Sequence, residues 1–206
     1  AMKYRIAFAI VVLLLLSSHS SALASNYVAL GASYRAFSPD PLWTAQGWQE
    51  NLKGTLSLCI GTVPGMRAGL VSYLGYSGGE PVLSGSAASG SAVSISARAG
   101  FGYDLVKYEK DGLYVGFGPA VGISYGNTSS SKTEGTADFG IGAQAICSIL
   151  SGKVEIEGNA LYTFKDVFVD ASFFVRYNPV GPLVLFTGLD YLRRDIFVSA
   201  GAGIKF

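Results

Sequence analysis

The stretch that decides the fold is Ile196 to Phe206, IFVSAGAGIKF. It alternates with a period of two. Ile196, Val198, Ala200, Ala202, Ile204 and Phe206 share one face of an extended strand; Phe197, Ser199, Gly201, Gly203 and Lys205 share the other. The first face is wholly apolar. The second is small or polar apart from Phe197. A soluble sheet blunts such a strand with charge or covers it. A strand with lipid on one side needs this pattern.

The same alternation recurs through the chain. It marks strands over Asn26–Phe37, Gly54–Thr62, Arg67–Gly78, Ser91–Leu105, Leu113–Gly126, Thr136–Leu150, Lys153–Phe164, Val167–Tyr177 and Leu183–Tyr191. The clearest is the fourth. Val93, Ile95, Ala97, Ala99, Phe101, Tyr103 and Leu105 face one way, and Ser94, Ser96, Arg98, Gly100, Gly102 and Asp104 the other. The third strand has apolar residues on both parities, so its facing stays open. Pro119, inside the fifth, suggests a bulge. Between the strands, Val106–Gly112 reads as a charged turn, Lys165–Asp166 as a two-residue hairpin loop and Asn178–Pro182 as a turn. Segments 38–53, 79–90 and 127–135 are longer, polar or Gly/Ser-rich connections.

Composition agrees. Half of the residues are apolar and mean hydropathy is +0.38. After the front end, no run of 18 apolar residues occurs, so helical spans are excluded. Apolar content without apolar runs is what alternation produces, and a closed barrel satisfies every backbone polar group in lipid. Only 14% of residues are charged, and the non-apolar faces are Gly, Ser and Ala rather than Lys and Glu. A soluble barrel with a watery outer face is therefore disfavoured, and the apolar faces are placed outward.

The front end reads as an export signal. Met2, Lys3 and Arg5 precede the apolar run Ile6–Leu16, and Ala22-Leu23-Ala24 is a small-x-small cleavage site. Residues 1–24 are thus a signal peptide and 25–206 one barrel domain. Removing Lys3 and Arg5 from the 15 basic residues leaves 13 against 14 acidic ones, which gives no reason to expect a nucleic-acid partner. Cys59 and Cys147 fall on opposite faces. A disulfide is possible in an exported chain, and two cysteines provide no zinc motif.

Within the opening stretch, Ser199, Gly201, Ile204 and Phe206 resemble the C-terminal assembly signal of bacterial outer-membrane β-barrels. The whole chain is similar in architecture to the small barrels of the OmpA/OmpX and OmpW type. The expectation is an all-β, transmembrane, antiparallel up-and-down β-barrel of ten strands, with eight as the alternative, in the bacterial outer membrane. The resemblance implies outer-membrane lipid as surroundings and the barrel-assembly machinery as a partner reading the last strand. Both chain ends then lie on the periplasmic side and the long connections outside. The barrel enzymes of that family work through a histidine, and the single histidine here is His19, inside the export segment. No catalytic residues, metal ligands or cofactor are expected.

The inward charges are the candidate site. The hairpin at 165–166 places Glu155 opposite Arg176, with Glu157 one step above and Lys205 at similar depth. Arg98 and Asp104 also face inward. Together they form a candidate ion-pair network, either structural or a polar constriction. The next hairpin would place Asp170 opposite Asp190 at the extracellular end, where they could capture a cation or be covered by Arg193 or Arg194. Gly116, Gly118, Gly122, Gly140, Gly142, Gly201 and Gly203 suggest a bare, open lumen wall, or else easier curvature and packing. Leu161, Phe168, Phe174, Val184 and Phe186 fill the other side. Trp43 and Trp48 could plug the mouth, lie at the membrane interface or contact a partner. Two functions remain: a narrow channel for small or amphipathic solutes with a charged constriction, or a surface-exposed structural or adhesin barrel with a filled lumen, binding a host ligand through its loops.

Overall fold

The computed structural model describes residues 26–37, 52–63, 66–77, 92–127, 136–165 and 167–206. The expected export segment, Trp43 and Trp48 lie outside the described residues. Eleven β-segments run in chain order: β1 Tyr27–Phe37, β2 Leu52–Val63, β3 Met66–Ser77, β4 Ala92–Tyr103, β5 Val106–Lys110, β6 Leu113–Asn127, β7 Thr136–Ile149, β8 Val154–Thr163, β9 Phe168–Tyr177, β10 Leu183–Leu192 and β11 Asp195–Lys205. Chain neighbours pair antiparallel except β4 and β5, which both pair with β6, and β1 pairs with β11. The sheet is therefore closed. It has ten staves, because β4 and β5 are one strand broken at Asp104–Leu105 and both pair with β6.

The alternation in the sequence becomes an inside and an outside. Leu30, Phe117, Ile123, Phe139, Phe173, Leu189 and Val198 are exposed on the outer surface, whereas Ala29, Ser33, Thr55, Ser57, Phe174 and Ser199 are buried within. In water so large an exposed apolar surface would be an aggregation hazard. In lipid it is the required one. The third strand resolves the same way: Leu74 is exposed outside, and Arg67 and Tyr73 are buried inside. In the closing strand, Ser199 is inward and Ile204 and Phe206 are exposed, as the alternation requires. The Phe206 N–H donates to the Asn26 carbonyl at 2.9 Å, tying the two ends of the barrel seam together.

Three local readings change. Val106–Lys110 is strand rather than turn, and the turn is Asp111–Gly112, with φ of 51° and 79°. Two positive φ values match the strand twist in a two-residue hairpin, which explains the Asp-Gly pair. The bulge suggested by Pro119 lies on the facing strand. Leu105 and Val106 both point outward, so one extra residue sits between the pairs Gly102–Ala120 and Val106–Phe117. Pro119, lacking an N–H, lies opposite this interruption. The third change is at 165–166. β8 and β9 keep the expected register, with Glu155 opposite Arg176, but the loop spans four residues, because pairing ends at Thr163–Phe168. The Phe164 N–H goes instead to the Phe139 carbonyl at 3.1 Å, and the Lys165 N–H to the Asp138 carboxylate at 2.9 Å.

Candidate functional site: ion pairs across the lumen

Inward polar residues on nearly every stave meet inside the barrel in three groups. The first is built on the β8–β9 hairpin. Arg176 Nη2 lies 2.5 Å from Glu157 Oε2, and Arg176 Nη1 lies 3.8 Å from Glu155 Oε2. The register partner Glu155 is thus the looser of the two, and the diagonal neighbour Glu157 the tighter. The Arg176 guanidinium also stands 4.5 Å from the centre of the Tyr27 ring on β1, a cation–π contact made in a desolvated setting. Lys205, expected at the same depth, forms no ion pair among the described residues.

The second group collects at the strand break. Asp104 is completely buried. Its carboxylate accepts from Arg67 Nη2 at 2.6 and 2.8 Å, from the Tyr114 hydroxyl at 2.7 Å and from Gln144 Nε2 at 3.0 Å. The bulge lets Asp104 stay inward while Leu105 and Val106 face out. Arg67, Tyr114 and Gln144 were not singled out from the sequence. Their signal was parity: Tyr114 precedes Gly116 and Gly118 on an inward face, and Gln144 follows Gly140 and Gly142.

The third group spans the barrel. Arg98 Nη1 on β4 lies 3.1 Å from Asp190 Oδ1 on β10, with both side chains buried. In the stave order β4-β3-β2-β1-β11-β10, these strands are five steps apart in a ten-stave ring, hence on opposite walls. The Tyr73 hydroxyl donates to Asp190 at 3.0 Å, and the Tyr73 ring stacks on Phe197 at 4.3 Å.

The Asp170–Asp190 pair is corrected. Asp190 stands opposite Ser172, not Asp170. The turn is asymmetric: β10 begins at Leu183, but pairing with β9 starts at Leu185–Tyr177. That offset shifts Asp170 by two residues and removes the like-charge contact. Asp170 instead accepts from the Ser124 hydroxyl and from the Arg193 main-chain N–H at 2.8 Å. The Arg193 side chain donates to Thr136 Oγ1 at 2.6 Å. Arg193 thus meets Asp170 through its main-chain N–H, while its guanidinium bonds Thr136.

The inward glycines have close neighbours. An added Cβ at Gly118, Gly142, Gly201 or Gly203 would run into a carbonyl oxygen of the adjacent strand. At Gly140 it would come within 2.9 Å of the Tyr162 carbonyl oxygen and 3.3 Å of Leu161 Cβ. At Gly116 it would meet the Asp104 carboxylate, and at Gly122 the Leu161 side chain at 2.6 Å. These glycines permit close strand approach or make room for a facing side chain, which supports the packing reading. Tyr27, Ala29, Cys59, Phe174, Val184 and Phe186 form one buried apolar cluster, Tyr73, Leu192 and Phe197 another, and Val71 packs against both. Both cysteines are free, with Cys59 buried inside and Cys147 on the other face of the sheet. Among the described residues no cluster of three or more His, Cys, Asp or Glu is placed to hold a metal.

One ion pair, Arg98–Asp190, thus spans the lumen, whereas the Arg67–Asp104 and Arg176–Glu157 pairs join neighbouring strands. The closed antiparallel sheet, apolar outside and polar inside, is the architecture of bacterial outer-membrane barrels. No protein-family model matches the chain, and no curated protein matches it in sequence. Among solved structures, the outer membrane phospholipase A from Escherichia coli is 10% identical with a TM-score of 0.40, covering 88% of this chain and 92% of that one. The Salmonella typhi outer membrane phospholipase dimer with bound calcium is 9% identical with a TM-score of 0.42, covering 93% and 96%. Scores and identities this low carry no argument about activity or family.

Proposed function

We propose that this chain is an exported barrel of the bacterial outer membrane with a sealed lumen, and that it works at its extracellular end, as a structural or adhesin barrel, rather than as a conduit. The observation that supports this reading is the Arg98–Asp190 pair, a 3.1 Å contact between opposite walls. A solute path would have to break it, at the cost of stranding two buried charges. The segments 1–24 then direct export, lipid surrounds the outer belt, and the assembly machinery reads the closing strand. The connections 38–53 and 127–135 carry the contact with a host surface. Purified barrel in lipid vesicles tests the proposal: the vesicles should stay impermeable to small sugars and amino acids. Deleting 38–53 or 127–135 should abolish adhesion of cells that display the barrel. Permeable vesicles, or adhesion unchanged by both deletions, would remove its support. The second reading, a narrow channel with a charged constriction, is favoured by a small polar chamber beside Arg176 and Glu157 and predicts permeable vesicles.

A further inference from the structure

We infer that the lumen contains a built water site, in which a small cluster of water molecules bridges Arg67 on β3 to Asn159 on β8. A chamber of about 40 Å³ lies inside the barrel, lined by Arg67, Arg98, Gln144, Glu157, Asn159 and Arg176 among others. That volume holds about three water molecules. Three polar atoms among its lining residues are buried and make no hydrogen bond in the protein: Arg98 Nη1, which has the Asp190 carboxylate 3.1 Å away, and Arg67 Nε and Asn159 Oδ1. Arg67 itself is only 7% exposed. Leaving either Arg67 Nε or Asn159 Oδ1 unpaired in a buried site is costly, so a ligand there is favoured.

The two atoms define the ligand's chemistry. Arg67 Nε–H must donate, and Asn159 Oδ1 must accept. A halide can accept but not donate; a metal cation does neither. Water does both and fits the volume. Glu157 supports the assignment: its side chain keeps 21% of its surface exposed although it faces the lumen and already pairs with Arg176. That free surface offers a further acceptor within the same chamber.

The glycines around the chamber supply the second argument. At the inward glycines described above a Cβ would clash. Gly69 and Gly100, register partners that also line the chamber, are different. A Cβ at Gly69 would come no closer than 3.9 Å to any atom, and one at Gly100 no closer than 3.5 Å. Strand packing does not demand glycine at either position. What the missing methyls preserve is the space.

The test is a crystal structure of the full barrel, refolded and grown with bromide present, alongside Gly69→Ala and Gly100→Ala. The expected result is ordered water within hydrogen-bond distance of both Arg67 Nε and Asn159 Oδ1, with no bromide signal in the chamber. Each alanine variant should fold as the parent does and lose at least one of those waters. A dry chamber, a bromide peak, a detergent or lipid chain inside, or alanine variants that retain every water would overturn the inference. If a variant fails to fold, the steric argument fails with it, and the parent structure alone decides the water. None of these outcomes depends on whether the barrel conducts.

Discussion

Asp104 is the residue whose removal should tell most about what holds the inward polar network together. It is fully buried and accepts from three side chains. Asp104→Ala leaves the Arg67 guanidinium, itself almost fully buried, without its carboxylate. Breaking a buried pair from one side costs about 3–5 kcal/mol. The Tyr114 hydroxyl and the Gln144 amide also lose their partner, at about 1–3 kcal/mol each where the site cannot rehydrate. These terms share one site and do not simply add, so the expected loss is about 5 kcal/mol. With a urea slope of about 2 kcal/mol per M, the midpoint falls by about 2.5 M. The assay is reversible urea unfolding of the barrel in lipid vesicles, followed by tryptophan fluorescence and by electrophoretic mobility of the folded form. The decisive control is Arg67→Met with Asp104→Leu, which removes both charges and keeps much of the volume. It should recover most of the loss, because apolar replacement of a buried pair is often neutral. A single variant that loses under 1 kcal/mol, or a double variant no better than the single, would refute the reasoning.

Further expectations follow from the same geometry. Gly118→Ala and Gly203→Ala each place a methyl on a neighbouring carbonyl. They should lower stability by at least about 2 kcal/mol or block assembly, as read by the yield of folded barrel in vesicles. Leu30→Arg, on the exposed outer face, should cost about 2–4 kcal/mol if that position lies near the bilayer centre, measured by the same unfolding assay. Tyr73→Ala deletes a stacked ring and the Asp190 hydrogen bond and should cost about 3–5 kcal/mol, whereas Tyr73→Phe should lose only the hydrogen-bond part, about 1–3 kcal/mol.

Much of the barrel was legible because a lipid-facing strand writes its facing into every second residue. The closing strand, the inward set Arg98–Gly100–Gly102–Asp104 and the Glu155–Arg176 register all follow from alternation and one short hairpin. The limits have equally local causes. Arg98 and Asp190 are 92 positions apart in numbering and five staves apart in space; their contact depends on how the sheet closes, which no hairpin register encodes. The Asp170–Asp190 error came from the Asn178–Pro182 turn, where two residues of β10 run past the end of β9. At Leu105–Val106, two consecutive outward residues broke the period, and a bulge was read as a turn. The glycines were correctly placed inward. Whether a glycine leaves space or fills it, however, is decided by the facing atom: a backbone oxygen at Gly203, nothing close at Gly69.

The central claim of the proposed function is that the Arg98–Asp190 contact between opposite walls closes the lumen to solutes. Single-channel recording of the purified barrel in a planar bilayer at 1 M KCl tests it most directly. The account predicts a silent membrane for the parent and discrete openings for Arg98→Ala with Asp190→Ala, which removes the contact from both walls. Stepwise conductance from the parent barrel, unchanged in the double variant, would contradict it.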